Sequence, residues 1–347
     1  NTTSHTDLAQ AGLDGPSRRH LLKWGTVGVV GLASKSALAA EPKPKVKVED
    51  TPVVLECAIN GSTTKKKNPN APGTDQEQVD EMVRVLDAGA AIAHNHSNLF
   101  AEDPVEAARP YATVNRQVLE KRPHAITYPT VNTDVSVLRK GQAMAGGAAF
   151  AHQRALAEAG LCNMVMLDTG AVSISILEKD GIANDKAFMV YQCWPDDVRF
   201  SQRTCSDTGC GAAVAVYEPG WMKHIVAMAK AGTLPRGSKI NIFFGGGGYG
   251  CMAPPIPEAL ELYLKMMEGL DLHWAVGCPA ADYSILDTPI ARMALERGGS
   301  LRVGLEDFTN GPSNLDQLER AKELVAKVGR RIIHGPEAVK YLDIPFQ

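Results

Sequence analysis

From Thr51 onward, apolar runs of strand length alternate with longer segments of helical periodicity, and this alternation constrains the fold more than any other feature of the chain. Strands that alternate with helices form parallel sheets, because each helix returns the chain to the starting edge of the sheet. Eight such units predict an α/β fold of the (β/α)8 TIM-barrel type. An open, doubly wound sheet is the competing fold, but no G-x-G-x-x-G follows the first strand and no P-loop occurs.

The predicted elements fill 51–347 as a single domain. Strands are predicted at 53–60, 90–96, 125–130, 164–169, 212–217, 240–245, 273–277 and 301–306. Helices are predicted at 74–88, 144–159, 256–267, 289–297 and 315–328, the first of them opened by a capping box at Thr74. The segment 171–211 is longer than one unit needs, so we expect an insertion with extra short elements there.

The first forty residues differ in kind from the rest. A pair of arginines, Arg18 and Arg19, precedes a short apolar stretch at 24–33, and Ala37-Leu38-Ala39 fits a cleavage site. This order predicts a twin-arginine export signal at 1–39, a linker at 40–50 and a periplasmic protein that leaves the membrane once the signal is cleaved. The alternative is a basic N-terminal segment on a cytoplasmic protein.

Charge excludes one class of partner. The formal net charge is −3 and the one basic run is Lys65-Lys66-Lys67, which we interpret as a solvated loop. The sequence therefore predicts no nucleic-acid partner.

Two short motifs at strand ends predict a metal site. His94 and His96 lie two apart on the second strand and so point the same way, as do Arg302 and Glu306 on the eighth. Both strands neighbour the first strand of a barrel, and active sites form at the C-terminal strand ends. Two imidazoles and a carboxylate suit Zn²⁺ or another divalent metal with one open position. The alternative is a pair of hydrogen-bonded core histidines.

Two further features leave alternatives open. Glu56 has the inward parity of the first strand, so it is either a partner of a ligand histidine or a member of a buried salt bridge. Cys205 and Cys210 flank a short loop and form either a disulfide or a pair of free thiols.

The motifs together resemble the β-keto acid cleavage enzyme family. The resemblance runs from about Val53 to Leu342 and rests on Asn-Gly after the first strand, A-x-x-H-x-H after an Ala-Gly pair, and R-V-G-L-E-D followed by an S-N-x-x-x-L-x-x-A helix. It implies a homo-oligomeric, tetrameric TIM barrel with a divalent metal, usually Zn²⁺, on His94, His96 and Glu306. It also implies that Asp307 is the general base and that Arg302 helps to hold Asp307 and the substrate.

The family reaction condenses a β-keto acid with acetyl-CoA and then runs a retro-Claisen cleavage to acetoacetate and a new CoA ester. We therefore expect metal-dependent C–C bond cleavage of a β-keto acid or related small oxo acid. The residues expected to contact substrate are Thr63, Thr130, Asp168 and Gly170, and the first three lie where this chain departs from the family pattern.

The predicted export leaves the use of acetyl-CoA open, because that cofactor is not expected in the periplasm. The alternatives are an exported metal-dependent hydrolase or isomerase of a small oxo acid, and a non-catalytic barrel that binds a metal or ligand.

Overall fold

Eight parallel strands form the central barrel in the order β4-β3-β2-β11-β10-β9-β8-β5. The computed structural model describes residues 48–97, 100–133, 147–186, 188–246 and 250–345, all within one compact unit. The barrel strands are β2 (Glu56–Ala58), β3 (Ile92–Asn95), β4 (Ile126–Pro129), β5 (Met164–Met166), β8 (Gly211–Val216), β9 (Lys239–Phe243), β10 (His273–Gly277) and β11 (Ser300–Val303). The TIM-barrel prediction is confirmed.

The side chain of Asn163 bridges β4 and β5, the two strands at the ends of this order. Its Oδ1 accepts a hydrogen bond from the backbone N–H of Thr127 at 2.9 Å, and its Nδ2 donates to the carbonyl of Ala125 at 2.7 Å. A side-chain amide thus supplies bonds of the kind that a strand ladder makes elsewhere in the barrel.

Nine helices are assigned within the described residues, and most follow barrel strands. They are α1 (Asp75–Asp87), α2 (Pro104–Lys121), α3 (Ala151–Glu158), α4 (Pro195–Thr208), α5 (Pro219–Ala231), α6 (Pro257–Met266), α7 (Pro289–Glu296), α8 (Asn314–Val328) and α9 (Gly335–Tyr341). The capping box at Thr74 is present, with Glu77 as its acidic member. Within the described part of the chain, no helix is both long enough and apolar enough to cross a bilayer.

Two of the differences from the predicted boundaries bear on the site. The predicted first strand divides in two, and β1 (Val53–Val54) pairs with β12 (Ile332–Ile333) instead of joining the barrel. The eighth strand ends at Val303, because Gly304 adopts a φ of 125° and the chain turns before Glu306. The predicted start of the helix at 144–159 lies outside the described residues, as do the predicted signal and most of the linker.

The long segment after β5 contains the expected insertion. An antiparallel hairpin of β6 (Ala171–Ile174) and β7 (Met189–Gln192) follows β5, and α4 returns the chain to the barrel at β8. The hairpin places its residues at the C-terminal end of the barrel, beside the candidate site.

Candidate active site at the C-terminal end of the barrel

Three ligand-type atoms meet where β3 and β11 end. His94 Nε2 lies 3.2 Å from Glu306 Oε2, His96 Nε2 lies 3.1 Å from the same oxygen, and the two imidazole nitrogens are 3.1 Å apart. Ligand bonds of about 2.0–2.1 Å in a tetrahedral zinc site place ligand atoms about 3.3 Å apart. The triangle in this structure therefore fits one divalent ion, and these three residues form the group of potential metal ligands found among the described residues.

The hydrogen bond at the far side of His94 fixes which nitrogen is free. His94 Nδ1 lies 2.9 Å from the backbone carbonyl of Tyr128, so this nitrogen carries the proton when the ring is neutral. The lone pair of Nε2 then faces the carboxylate of Glu306, whose Oε2 is buried and lacks a hydrogen bond of good geometry among the described groups. A divalent ion between these two atoms would satisfy both lone pairs.

Asn60 and Gly61, which follow β2, complete the backbone of the site. The Asn60 side chain donates to the carbonyl of His96 and accepts from its N–H, both at 2.9 Å, and so holds the histidine segment in place. Gly61 has a φ of 53°, and a Cβ at this position would lie 2.5 Å from Glu306 Cγ. Asn60 thus holds His96 in place, and Gly61 makes room for Glu306.

A buried network of charges lies beneath the metal-type cluster, which is the group of His94, His96 and Glu306. Arg302 is 1% exposed and contacts three carboxylates, with Glu306 at 2.8 Å, Glu56 at 3.0 Å and Asp307 at 3.0 Å. Its guanidinium also lies 5.0 Å from the centre of the Phe243 ring. One arginine therefore links the Glu306 carboxylate with Asp307, the expected base.

Glu56 belongs to this network as a salt-bridge member. Its carboxylate accepts hydrogen bonds from Lys239 Nζ at 2.6 Å and from the Tyr128 hydroxyl at 2.5 Å. Burial raises the pKa of Glu56, but Lys239 and Arg302 outweigh it and bring that pKa to about 2. The structure shows Glu56 in a buried ion pair. Arg302 connects it to Glu306, and Tyr128, which donates to Glu56, also contacts His94 through its backbone carbonyl.

Asp307 lies behind Arg302, away from the cavity wall. Burial raises its pKa to about 6 against the opposing effect of Arg302. A Cβ on Gly277 would lie 2.7 Å from Asp307 Oδ2, so this glycine leaves room for the carboxylate. A larger residue than glycine at 277, at the end of β10, would therefore push the Asp307 carboxylate out of its position.

A cavity of about 430 Å³ opens above these groups, within the size range of small-molecule sites. His94, His96, Glu306 and Arg302 line one side of it, and Thr130 and Asp168, both predicted from the sequence, also line it. The other two predicted contacts lie outside the lining. The Thr63 hydroxyl donates to the carbonyl of Leu305 at 2.8 Å, and Gly170 packs against the indole of Trp221.

Sequence reasoning missed Tyr191, which the inserted hairpin brings to the cavity. Its hydroxyl donates to Asp168 Oδ2 at 2.5 Å, and burial raises the pKa of Asp168 to about 6. It also missed Lys239, because the predicted strand began one residue later. The inward parity of Lys239 and Asn241 on β9 is the signal that could have found it.

Both cysteines of the proposed pair are free in this structure. The Cys210 thiol points to the carbonyl of Cys162 at 3.4 Å, and the Cys205 thiol points to the carbonyl of Gly211 at 3.6 Å. The free-thiol alternative is the one that the structure shows.

Comparison with known proteins gives consistent matches. The family model described as beta-keto acid cleavage enzyme matches residues 52–344. A 3-oxoadipate:acetyl-CoA acetyltransferase of Cupriavidus necator is 26% identical over 85% of this chain and 95% of its own length. A 3-keto-5-aminohexanoate cleavage enzyme of Acetoanaerobium sticklandii is 23% identical over 84% of this chain and 98% of its own length.

Solved structures agree on the fold. The apo structure of ObcA superposes with a TM-score of 0.55 and 13% identity over 80% of this chain and 66% of ObcA. Its complex with oxaloacetate gives a TM-score of 0.54 and 14% identity over 80% of this chain and 68% of that chain. This chain therefore spans about two thirds of ObcA, and at this identity the likeness concerns the barrel alone.

Proposed function

The chain belongs to the beta-keto acid cleavage enzyme family, and we propose from this that it cleaves a C–C bond of a 3-oxo acid, with acetyl-CoA as the second substrate. The observation that carries the proposal is the triangle of His94, His96 and Glu306 in the lining of a cavity of substrate size. We propose these three residues as ligands of a divalent metal, with Zn²⁺ as the best fit to the donor set. The two curated relatives, which act on 3-oxo acids according to their names, support the substrate class.

The proposed reaction transfers an acyl group to CoA. The C2 carbon of the 3-oxo acid loses a proton and bonds to the acetyl carbon of acetyl-CoA, with release of the CoA thiolate. The thiolate then adds to C3, the C2–C3 bond breaks, and a proton returns to C2. The products are acetoacetate and a new acyl-CoA, so the activity is that of a transferase.

Arg302 would stabilise the negative charge that develops on the substrate, and Asp307 would accept its C2 proton. A bound divalent ion would supply Lewis acidity toward the oxygens of the oxo acid. Arg302 lines the cavity and places a permanent positive charge where enolate and alkoxide charge develops. We propose that Asp307 accepts the C2 proton. Because Asp307 does not line the described cavity, this step needs its carboxylate to move past Arg302, 3.0 Å from its Oδ1, when the substrate is bound.

Labelled acetyl-CoA tests the proposal. The purified chain would be incubated with Zn²⁺, a panel of 3-oxo acids and acetyl-CoA labelled in the acetyl group. We expect the label in acetoacetate, an unlabelled new acyl-CoA, and loss of both products in His94→Ala but not in His334→Ala, a control at an exposed histidine. Cleavage without acetyl-CoA would replace the transferase by a hydrolase, and no turnover of any 3-oxo acid would refute the proposal.

Export and assembly are separate proposals. We propose that 1–39 directs twin-arginine export to the periplasm and that the mature chain is a homo-oligomer, a tetramer as in its family. Fractionation of cells expressing the full chain and its Arg18→Lys/Arg19→Lys variant would test export, and light scattering on a sizing column would test assembly. If the protein is found in the periplasm and still requires acetyl-CoA for turnover, both proposals hold, and the source of acetyl-CoA in that compartment becomes a separate question.

A further inference from the structure

A second polar group lies in the cavity, at the end of β5. Asp168 is 1% exposed over the whole residue, yet it lines the cavity together with the metal-type cluster. A carboxylate in such a position is costly unless it has partners. The mechanism proposed above uses neither this residue nor its neighbours.

The inserted hairpin holds Asp168 in a fixed position. The Tyr191 hydroxyl donates to Oδ2 at 2.5 Å, and the N–H of Ala215 approaches Oδ1 at 3.4 Å. A carboxylate has about four acceptor positions, so these two contacts leave acceptor capacity for a ligand. Tyr191 in turn packs against the rings of Tyr217 and Trp221.

Gly170 explains how the hairpin is anchored. A Cβ at this position would lie 2.5 Å from the indole nitrogen of Trp221, and that nitrogen donates to the carbonyl of Ala171 at 3.2 Å. Because Gly170 has no side chain, the Trp221 indole can approach closely enough to hydrogen-bond Ala171, the first residue of β6. This packing of Gly170 and Ala171 against Trp221 fixes the start of the hairpin that carries Tyr191.

The charges of the described lining favour a cation near Asp168. Among the described residues that line the cavity, Arg302 is the one lysine or arginine. Its charge already faces three carboxylates. Apolar side chains line the same cavity, and they include Met166, Ile174 and Met189. This environment suits an aliphatic tail that ends in a hydrogen-bond donor.

Resting on the proposed function, we propose that Asp168, positioned by Tyr191, binds the ammonium group of an amine-bearing tail and so selects amino-substituted 3-oxo acids over dicarboxylic ones. Asp168 contacts the substrate in this proposal, and Tyr191 acts through it as a positioning residue. The ammonium group would donate to the free acceptor positions of Asp168. A tail carboxylate would meet like charge at the same place.

Non-reactive analogues test this independently of catalysis. Hexanoate, 5-aminohexanoate and adipate share one chain length and lack the 3-oxo group, so calorimetric titration reads binding alone. We expect the Zn²⁺-loaded chain to bind 5-aminohexanoate about 10- to 100-fold more tightly than adipate. Asp168→Asn should abolish that preference with little change for hexanoate, and Tyr191→Phe should reduce it in part.

Kinetics on the matched 3-oxo acids give the second readout. We expect Asp168→Asn to lower kcat/KM for 5-amino-3-oxohexanoate by about 10- to 100-fold and to leave 3-oxohexanoate within about threefold. Equal losses for both substrates would assign Asp168 a purely structural role and overturn the proposal. Tight adipate binding, or an amine preference retained in folded Asp168→Asn, would also overturn it. No turnover with an intact amine preference in titration would instead refute the proposed function alone.

Discussion

Replacement of Gly61 by alanine should empty the metal site while leaving the barrel folded. The new Cβ would lie 2.5 Å from Glu306 Cγ and 2.8 Å from Glu306 Cβ. Carbon atoms in contact sit about 3.5–4.0 Å apart, so the side chain of Glu306 must move by about 1 Å. Metal–ligand distances tolerate only about 0.2 Å, so a shift of this size removes Glu306 as a ligand.

The backbone cost of the same substitution can be measured separately. Gly61 has a φ of 53°, and alanine in this left-handed region costs about 1 kcal/mol. Gly335 has a φ of 56°, and a Cβ there meets no described atom within 4 Å. Gly335→Ala is therefore a matched control that carries the strain without the contact.

Competition with a chromophoric zinc chelator, together with urea unfolding, separates the two effects. Both variants should lose about 1 kcal/mol of unfolding free energy in the metal-free state. Only Gly61→Ala should lose Zn²⁺ affinity, by about 10- to 100-fold or more. Equal affinity in the two variants would refute the placement of Glu306 in the ligand set.

Three further substitutions test the surroundings of the site. Lys239→Met leaves the fully buried Glu56 without one of its two cationic partners and should cost about 3–5 kcal/mol in urea unfolding at pH 7; a loss below 1 kcal/mol would contradict the buried ion pair. Burial lowers the pKa of His152 to about 4 from 6.5, so its contribution to stability is complete above pH 6.5 and falls by about 3 kcal/mol as the pH drops through 4. His152→Gln should flatten the stability curve in that window, and an unchanged slope would show that another group titrates there. Gly277→Ala, with its Cβ 2.7 Å from Asp307 Oδ2, should lower kcat more than tenfold with metal content unchanged; full activity would remove Asp307 from the proposed chemistry.

The sequence predicted the barrel because its hydrophobic pattern follows the strand and helix periods closely. It also predicted that the strands of His94 and Arg302 both neighbour the first strand, and the ladder confirms this order. Both are consequences of local pattern and of the rules of parallel connection. The order of strands and helices along the chain is enough to predict both the barrel and these strand neighbours.

Glu306 shows where such reasoning reaches its limit. Strand parity placed it beside Arg302, but β11 ends at Val303 and a turn at Gly304 carries Glu306 to the histidines. The structure brings Glu306 close to the histidines and to Arg302, as strand adjacency predicts, but it does so through the turn at Gly304 and not through strand alternation. A positive φ at one glycine cannot be deduced from alternation alone.

The parts of the site that the sequence did not yield depend on contacts between distant segments. Tyr191 reaches Asp168 only because an insertion of unpredicted topology folds back as a hairpin. Asn60 holds His96 through its side-chain amide, a contact that no periodicity encodes. Thr63 was expected at the substrate but donates to the backbone of Leu305, since a hydroxyl serves either purpose equally well.

The metal content of the purified chain tests the central claim most directly. The wild-type protein, Glu306→Gln and a surface control, Glu268→Gln, would be loaded with Zn²⁺, dialysed and analysed by mass spectrometry of the metal. We predict about one divalent ion per chain in wild type and control, and a loss of most of it in folded Glu306→Gln. A folded wild-type chain that retains no metal after loading, or a Glu306→Gln variant that retains it fully, would contradict the site and the function built on it.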